Sequence, residues 1–398
     1  MAQALSGIRI LDLSNIVAGP WSTTLLSDFG AEVVKVEMPA KGDPLRELPP
    51  LKNGVGLWWK VANRNKKAMT IDLHRPQGQE LVRRLVAHVD VLVENFRPGT
   101  LDGWGLSRDA LQAINPKLII LRVTAFGQTG PYRNRPGFAR IAEAISGLTY
   151  LCGESDRAPL HMGYPVADAL AGLFGALSIM IALQKRNREP DARGEEIDVS
   201  LFESVFRMLD FLAIEYDQIG TVRERTGNRS QYGAPGNVYR TKDGQWASIA
   251  ASSQSIFERL ARTMGRSDLI TDPRFRTNPE RVKHYREIDA IVGDWIAERT
   301  LAEVSEQLVD AEVGFSPIFS IAQIFEDPHF RAREALISVN DDELGPVRMQ
   351  GVIPKFTDSP GIVKNAAPTL GAHTREILST LLSLSDKEID ELERSGAV

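Results

Sequence analysis

One carboxylate stands out because of the residues around it. Asp168 is the only formally charged residue between Arg157 and Lys185, and small apolar residues follow it. This segment predicts a buried helix that carries one carboxylate in its first turn. The carboxylate has two candidate roles. It caps the helix by accepting backbone N–H bonds, or it does chemistry as a nucleophile or base.

Composition narrows the classes of function. The 398 residues carry a formal net charge of −5, with 43% hydrophobic and 25% charged residues. No excess of basic residues favours a nucleic-acid partner. A single cysteine and an N-terminus without a signal-peptide pattern lead us to expect a cytoplasmic protein. The longest apolar run, residues 169–183, is shorter than a membrane span requires, so we expect no membrane partner.

Several familiar catalytic motifs are missing from the sequence. The first strand-to-helix turn, residues 15–20, has neither the G-x-G-x-x-G pattern of dinucleotide sites nor a P-loop. H-E-x-x-H, C-x-x-C and G-x-S-x-G are also missing, and the six histidines have no metal-ligand spacing. We therefore expect no metal site and no serine-hydrolase chemistry.

The elements that must hold a site alternate between strand and helix. Strand patterns occur at 8–13, 32–37, 69–73, 91–96 and 118–123, with helical patterns at 21–29, 76–88 and 108–114 between them. The alternation predicts an α/β domain with a Rossmann-like parallel sheet. Ligands of such sheets lie at the carboxyl ends of the strands. The loops of interest there begin at Ser14, Glu37, His74, Asn95 and Thr124.

A change of pattern marks the second half of the chain. The polar and basic stretch 221–235 has the composition of a boundary. Beyond it, a hairpin pattern at 237–250 and helical patterns at 255–264, 281–297 and 301–311 indicate a smaller α+β domain.

Basic residues gather in the loops at the strand ends. They are Arg64, Lys66, Lys67, Arg75, Arg97, Arg133 and Arg135. Any one of them alone is compatible with a solvated loop charge. Several at one sheet edge predict an anionic ligand, most simply one that carries phosphate.

Eight segments, in order along nearly the whole chain, resemble the class III coenzyme A transferases. They are 18–20 (AGP), 30–37 (GAEVVKVE), 63–73 (NRNKKAMTIDL), 93–99 (VENFRPG), 130–132 (GPY), 165–172 (PVADALAG), 272–275 (DPRF) and 368–374 (PTLGAHT). This is the family of formyl-CoA transferase and the carnitine CoA-transferases.

The resemblance implies an organisation of the chain. The large CoA-binding α/β domain comprises 1–200, a linker helix and loop comprise 201–225, the small α+β domain comprises 226–330, and 331–398 return to the large domain. Two identical subunits interlock as linked rings in an intertwined homodimer.

The resemblance also gives roles to individual residues. Asp168 matches the catalytic aspartate, which carries first the acyl group as an anhydride and then CoA as a thioester. Positions that contact CoA or the acyl group, or that supply a cation beside them, correspond to Val17, Ala18, Ile71, His74, Arg75, Asn95, Phe96, Arg97, Arg133 and Phe138. Acyl-CoA and a carboxylic acid are then the substrates, and no cofactor is bound permanently.

Departures from formyl-CoA transferase indicate a different substrate. Val17 stands where that enzyme has a glutamine, and Pro136 stands where it has a lysine. Three loop arginines are candidates to receive a second carboxylate: Arg133, Arg135 and Arg140. We therefore predict exchange between C4–C5 dicarboxylates, such as succinate with mesaconate or citramalate.

Two other functions stay open on the sequence alone. α-Methylacyl-CoA racemases belong to the same superfamily and use a His–Asp pair to move a proton next to the thioester. Their histidine would follow Pro136 in a Gly-His-Asp context, where this chain has Gly137-Phe138-Ala139. The other alternative is a non-catalytic CoA-binding protein, which a residue other than Asp at position 168 would have favoured.

Overall fold

The computed structural model describes residues 3–189 and 191–398. The chain divides into two compact units. The first runs up to Thr149 and takes in His161–Thr221 and Ala332–Val398, and the second comprises Tyr150–Leu160 and Val222–Arg331. The first unit therefore draws on both ends of the chain. Residues 150–160 fall in the second unit, although the expected large domain contained all of 1–200.

Strands and helices alternate through the first 200 residues. In chain order they are β1 (Arg9–Asp12), α1 (Ala18–Ser27), β2 (Glu32–Glu37), a 3₁₀ turn (Pro44–Arg46), β3 (Leu51–Lys52), β4 (Val55–Gly56), α2 (Leu57–Ala62), β5 (Lys67–Thr70), α3 (Pro76–Val86), β6 (Val91–Glu94), α4 (Thr100–Gly103), α5 (Arg108–Ile114), β7 (Ile119–Thr124), α6 (Ala139–Ile145), α7 (Leu148–Leu151), α8 (Val166–Arg188) and β8 (Glu196–Ser200).

Helices are more frequent in the rest of the chain. The elements are α9 (Leu201–Met208), α10 (Asp210–Ile219), β9 (Gly236–Arg240), β10 (Trp246–Ala250), α11 (Gln254–Thr263), α12 (Asp268–Thr271), α13 (Asn278–Lys283), α14 (Tyr285–Ala297), α15 (Leu301–Asp310), β11 (Phe315–Pro317), α16 (Ile321–Glu326), α17 (Pro328–Ala332), β12 (Leu336–Asp341), β13 (Gly345–Gln350), α18 (Thr374–Leu382) and α19 (Asp386–Ser395).

Six parallel strands form the main sheet, in the order β5-β2-β1-β6-β7-β8. Both faces of the sheet are covered, which explains the nearly continuous apolar runs of β6 and β7. The chain builds outward from β1 in two directions, through β2 on one side and β6 on the other. The carboxyl ends of β1 and β6 are therefore the topological switch point, where ligands of open α/β sheets bind.

Different helices cover the two faces of this sheet. Residues of α3, α5, α18 and α19 pack on one face, and residues of α1, α6, α8 and α9 pack on the other. The C-terminal helices thus complete a core that the first strands begin. This packing is why the end of the chain belongs to the first unit.

α8 carries Asp168 in its first turn and is the longest helix of the described chain, with 23 residues. It extends beyond the apolar run 169–183 and is long and apolar enough to cross a membrane. Its buried face, however, packs against α1 and β7. At Gly172 a Cβ atom would lie 2.9 Å from Trp21 Cβ, and at Gly175 one would lie 3.1 Å from Ser22 Cβ. The glycines allow this close approach, which makes α8 a core helix.

The second unit contains a small antiparallel sheet in the order β11-β10-β9. The predicted hairpin is confirmed, with Trp246 paired to Arg240 and Ala250 paired to Gly236. Residues of α11, α14 and α15 supply the core against this sheet. The unit is therefore an α+β structure with its own hydrophobic core.

Candidate active site

Asp168 is the third residue of α8, and Pro165 occupies the N-cap position. No side chain caps the helix from that position, and Asp168 accepts no hydrogen bond within the described chain. The interpretation of Asp168 as a helix cap is therefore wrong. Its carboxylate remains available to a ligand.

A carboxylate from another helix satisfies the start of α8. Glu143 on α6 accepts a hydrogen bond from Ala167 N at 3.2 Å through Oε1. Its Oε2 lies 3.5 Å from His161 Nδ1. Glu143 is absent from the predicted site residues, although it is a lone carboxylate in the apolar run 141–145, the same pattern that distinguishes Asp168.

The surroundings change the ionisation of Asp168. Burial, and to a smaller extent the charge on Glu143, raises the pKa of Asp168 to about 7. A carboxylate in such a place is poorly hydrated, which favours attack on an electrophile. Burial together with the charge of Asp168 also raises the pKa of Tyr164 to about 12. The two side chains are therefore close enough to influence each other.

Aromatic rings stand next to this carboxylate. The Tyr164 ring lies 6.4 Å from the ring of Trp21 and 6.3 Å from that of Trp58. Tyr164 is four residues before Asp168, and Trp21 packs on the helix at Gly172, one turn after it. An isolated aromatic residue in a sequence is most often a core residue, so no sequence pattern indicated that Trp21, Trp58 and Tyr164 belong to a site. These rings form an aromatic cluster beside the first two turns of α8.

The loop between β1 and α1 has an unusual backbone conformation. Ile16 has a φ of +67°, which a β-branched residue rarely adopts. Its N–H group donates to both carboxylate oxygens of Asp43 at 3.1 Å. Asp43 is buried and forms an ion pair with Lys35 at 3.3 Å. A buried anchor thus keeps Ile16 in this conformation.

Asn95 ties the same loop to the end of β6. Its Oδ1 accepts a hydrogen bond from Asn15 N, and its Nδ2 donates to Asn15 O, both at 2.8 Å. These two loops meet at the switch point of the sheet. Asn95, which we expected to contact CoA, uses its amide to hold the loop that leads to Val17 and Ala18.

Three predicted contact residues have buried side chains. Val17 and Ile71 are each 1% exposed, and Ala18 is 5% exposed. Val17 packs with Leu45 and Trp59 in a hydrophobic cluster. These fractions include the backbone, so Val17, Ala18 and Ile71 present almost no surface to a ligand.

A second aromatic cluster gathers three other side chains. The Trp104 ring lies 5.2 Å from the ring of His74 and 5.3 Å from that of Phe96. His74 Nδ1 and Arg75 Nε are bound to Asp72 at 3.1 Å and 3.0 Å. The structure thus brings together His74, Arg75 and Phe96 of the predicted contact residues, and it adds Trp104, which no sequence pattern had indicated.

Most of the basic residues that we expected at the sheet edge are paired with other residues of the chain. Arg64 is bound to Asp28, Lys66 to Asp12, Lys67 to Glu376 and Arg75 to Asp72, and Arg135 lies over the Tyr132 ring. The anion-binding prediction is therefore wrong for Arg64 and Lys66, whose paired side chains are buried. Within the described chain, only Arg97 and Arg133 of the predicted set form no ion pair, cation–π contact or side-chain hydrogen bond.

Arg133 lines a cavity of about 540 Å³ beside the ends of β6 and β7. Pro98, Gly99 and Gln128 also line it, and the buried Nε2 atom of Gln128 has no hydrogen-bond partner among residues 3–189 and 191–398. Phe138, at the N-cap of α6, is 69% exposed. No cluster of metal-ligating side chains occurs in the described part of the chain.

A family model and two relatives that match this chain are those of CoA-transferases. The model of CoA-transferase family III matches residues 5–374. Succinyl-CoA–D-citramalate CoA-transferase of Chloroflexus aurantiacus is 44% identical, over 99% of this chain and 98% of its own length. The beta subunit of succinyl-CoA–L-malate CoA-transferase from the same organism is 42% identical, over 98% and 96%.

A solved structure has the same fold. A CAIB/BAIF family protein from Brucella suis superposes with a TM-score of 0.86 and is 34% identical, over 96% of this chain and all of that one. The similarity includes both units, since almost the whole of each chain is covered.

Proposed function

The chain belongs to CoA-transferase family III, and we propose that it moves CoA between succinyl-CoA and a C4–C5 hydroxy- or unsaturated dicarboxylic acid, with Asp168 as the covalent nucleophile. The observation that carries this proposal is the free carboxylate of Asp168. It is partly buried, has no hydrogen-bond partner in the described chain, and lies at the start of a helix packed on α1. A merely structural aspartate at this position would be bound to a cap or a cation.

Each step of the proposed exchange forms one bond and breaks another. An Asp168 oxygen attacks the donor thioester carbon, which forms an aspartyl–acyl anhydride and releases CoA thiolate. The thiolate attacks the aspartyl carbonyl carbon, which forms an aspartyl-CoA thioester and releases the donor acid. The acceptor carboxylate attacks this thioester, and the released thiolate then takes the acceptor acyl group and regenerates Asp168. No net proton is consumed, so the site needs an ionised carboxylate rather than a general acid.

The switch point supplies groups that suit the substrates. The aromatic cluster of His74, Phe96 and Trp104 suits the adenine ring, and Arg97 and Arg133 suit phosphate groups. This assignment uses the two predicted arginines that have no partner within the described chain.

The identity of the acids rests on the relatives. Two of them are named for succinyl-CoA with citramalate or malate, which are hydroxy-dicarboxylic acids. Because Arg133 is assigned to a phosphate group, the exposed residue Arg140 is the candidate to receive the second carboxylate of such a substrate.

A substrate panel tests the proposal. Succinyl-CoA is offered with citramalate, malate, mesaconate, oxalate and acetate, and new acyl-CoA is measured by mass spectrometry. We expect turnover with the dicarboxylates of four or five carbons and at least tenfold lower kcat/KM with oxalate and acetate. Preference for oxalate or acetate, or no transfer to any dicarboxylate, would contradict the assignment.

We also propose that two copies form an intertwined homodimer. Helices α8 and α10 expose apolar side chains that a second copy could cover, including Leu173, Ile181 and Ile214. A relative named as a beta subunit makes a mixed assembly with a second chain the alternative.

A further inference from the structure

Glu143 is a buried carboxylate for which the proposed exchange has no step. Its two oxygens have different partners, namely Ala167 N at 3.2 Å and His161 Nδ1 at 3.5 Å. The Glu143 side chain is 2% exposed, whereas that of His161 is 31% exposed. A chain of contacts therefore runs from solvent through His161 and Glu143 to the residue that precedes Asp168.

Charges in this chain of contacts affect the nucleophile. Two carboxylates in one poorly hydrated region oppose each other's ionisation, and the charge on Glu143 contributes to the raised pKa of Asp168. A protonated imidazole next to Glu143 offsets that charge. The protonation state of His161 is therefore felt at Asp168 through Glu143.

We propose that Glu143 and His161 are positioning residues for acyl exchange. Glu143 fixes the first turn of α8 through the Ala167 N–H group, and its charge, offset when His161 is protonated, sets how much of Asp168 is ionised. This inference rests on the proposed role of Asp168 as the nucleophile.

The arrangement acts against the loss of activity in mild acid. Burial raises the pKa of Asp168 to about 7, so its carboxylate takes up a proton as the pH falls through this range. Because protonation of His161 offsets the charge on Glu143, it favours the ionised form of Asp168. Exchange then continues to a lower pH than it would with an unpaired Glu143.

Other charged groups near Glu143 have different positions. α6 packs against α8 and α9. On α9, Glu203 and Arg207 are exposed, and on α6 itself Arg140 is exposed. In the described chain none of these three forms a hydrogen bond or ion pair with Glu143. Thr149 Oγ1 lies 3.4 Å from His161 Nδ1, and it carries no charge.

The pH profile of kcat/KM between pH 5 and 9 tests the inference in three variants. Glu143→Gln keeps an oxygen for Ala167 N–H and removes the charge, so we expect the acid limb to move down by about one pH unit. His161→Gln leaves the charge of Glu143 without an offset, so we expect the limb to move up by about half a unit. In the double variant the limb should match that of Glu143→Gln, because His161 acts through Glu143.

Two controls have matched chemistry at a distance from the site. Glu32→Gln removes a carboxylate that pairs with Arg9 at the start of β2, and His88→Gln replaces an exposed histidine after α3. Neither should move the acid limb. An acid limb that Glu143→Gln leaves in place would overturn the inference. So would a His161→Gln shift of the same size in the Glu143→Gln background.

Asp168→Asn distinguishes a failure of this inference from a failure of the proposed function on which it rests. If Asp168→Asn retains exchange, the proposed nucleophile is wrong. If Asp168→Asn abolishes exchange while the acid limbs of all variants coincide, the nucleophile stands and the inference about Glu143 is wrong. His161 is at the surface, so His161→Gln gives a result even if a substitution of buried Glu143 prevents folding.

Discussion

The surroundings of the Asp168 carboxylate are unfavourable for the stability of the folded protein. Its carboxylate is partly buried without a hydrogen bond or a cation in the described chain, and a second carboxylate on Glu143 lies nearby. Ionising a group in such surroundings costs free energy of folding. Strained or destabilised groups of this kind are typical of functional sites, where activity and stability oppose each other.

The cost of ionising Asp168 gives a prediction at the residue scale. Because its pKa is raised to about 7 from 3.8, the native state is destabilised as the pH rises from about 4 to 7, and the cost is constant above that. Asp168→Asn removes it, so we expect the free energy of unfolding to rise by roughly 2 to 4 kcal/mol at pH 8. Urea unfolding at several pH values should show this gain shrink toward pH 4.

The control is Asp210→Asn, an exposed aspartate in the first turn of α10. It also lies in the first turn of a helix, at the first residue rather than the third, and it is exposed, so we expect no gain in stability from its substitution. A gain at Asp168 that is equal at pH 8 and pH 4 would contradict the electrostatic explanation.

Among the elements, the loop before α1 shows what local patterns can and cannot reveal. Turn residues predict a strand-end loop at 15–20, but its last three residues form the first turn of α1, which begins at Ala18. The anchors that shape this loop come from far away in the sequence, since Asp43 binds Ile16 and Asn95 binds Asn15 across 27 and 80 residues. No periodicity relates such positions. Their meeting depends on the parallel order of the strands.

The exposed apolar side of α8 and α10 gives a prediction at the scale of elements. Leu173, Leu177 and Ile181 recur every four residues on α8 and are 52–62% exposed, and Ile214 on α10 is 64% exposed. We expect the protein to have twice the 44.0 kDa mass of one chain in sedimentation equilibrium at micromolar concentration. Ile181→Asp and Ile214→Asp should shift this equilibrium toward the monomer because they place charges in an apolar contact.

A matched control for these variants is Val309→Asp. Val309 is 65% exposed on α15, in the second unit, and its substitution should leave the mass unchanged. A wild-type protein that stays monomeric at tens of micromolar would contradict the homodimer. A mass doubled only on addition of a second chain would support a mixed assembly instead.

Seen as a whole, the chain shows which features sequence patterns can predict. The bounds predicted for β2 and α5 match those of the structure, because a strand covered on both faces and an amphipathic helix each carry a local apolar signature. The identity of the residue that a charged side chain binds leaves no such local pattern in the sequence. Lys67 donates a hydrogen bond to Glu376, which is 309 residues away in the sequence. A basic residue that was predicted to bind a ligand therefore links the end of the chain to the sheet.

The same limit applies to the site. Asp168 stands out in the sequence because it is alone among apolar residues, whereas its proximity to Glu143 depends on packing between α6 and α8. The family resemblance identified which loops to compare. It did not reveal that Val17 and Ile71 have buried side chains or that Asn95 serves the backbone of a neighbouring loop.

The most direct test of the account is to trap the covalent bond at Asp168. The protein is incubated with succinyl-CoA, quenched with hydroxylamine, digested and analysed by mass spectrometry. We expect a hydroxamate on Asp168 that requires succinyl-CoA and is lost in Asp168→Asn. An unmodified Asp168 peptide under conditions of measured turnover, or a hydroxamate on a different carboxylate, would contradict it.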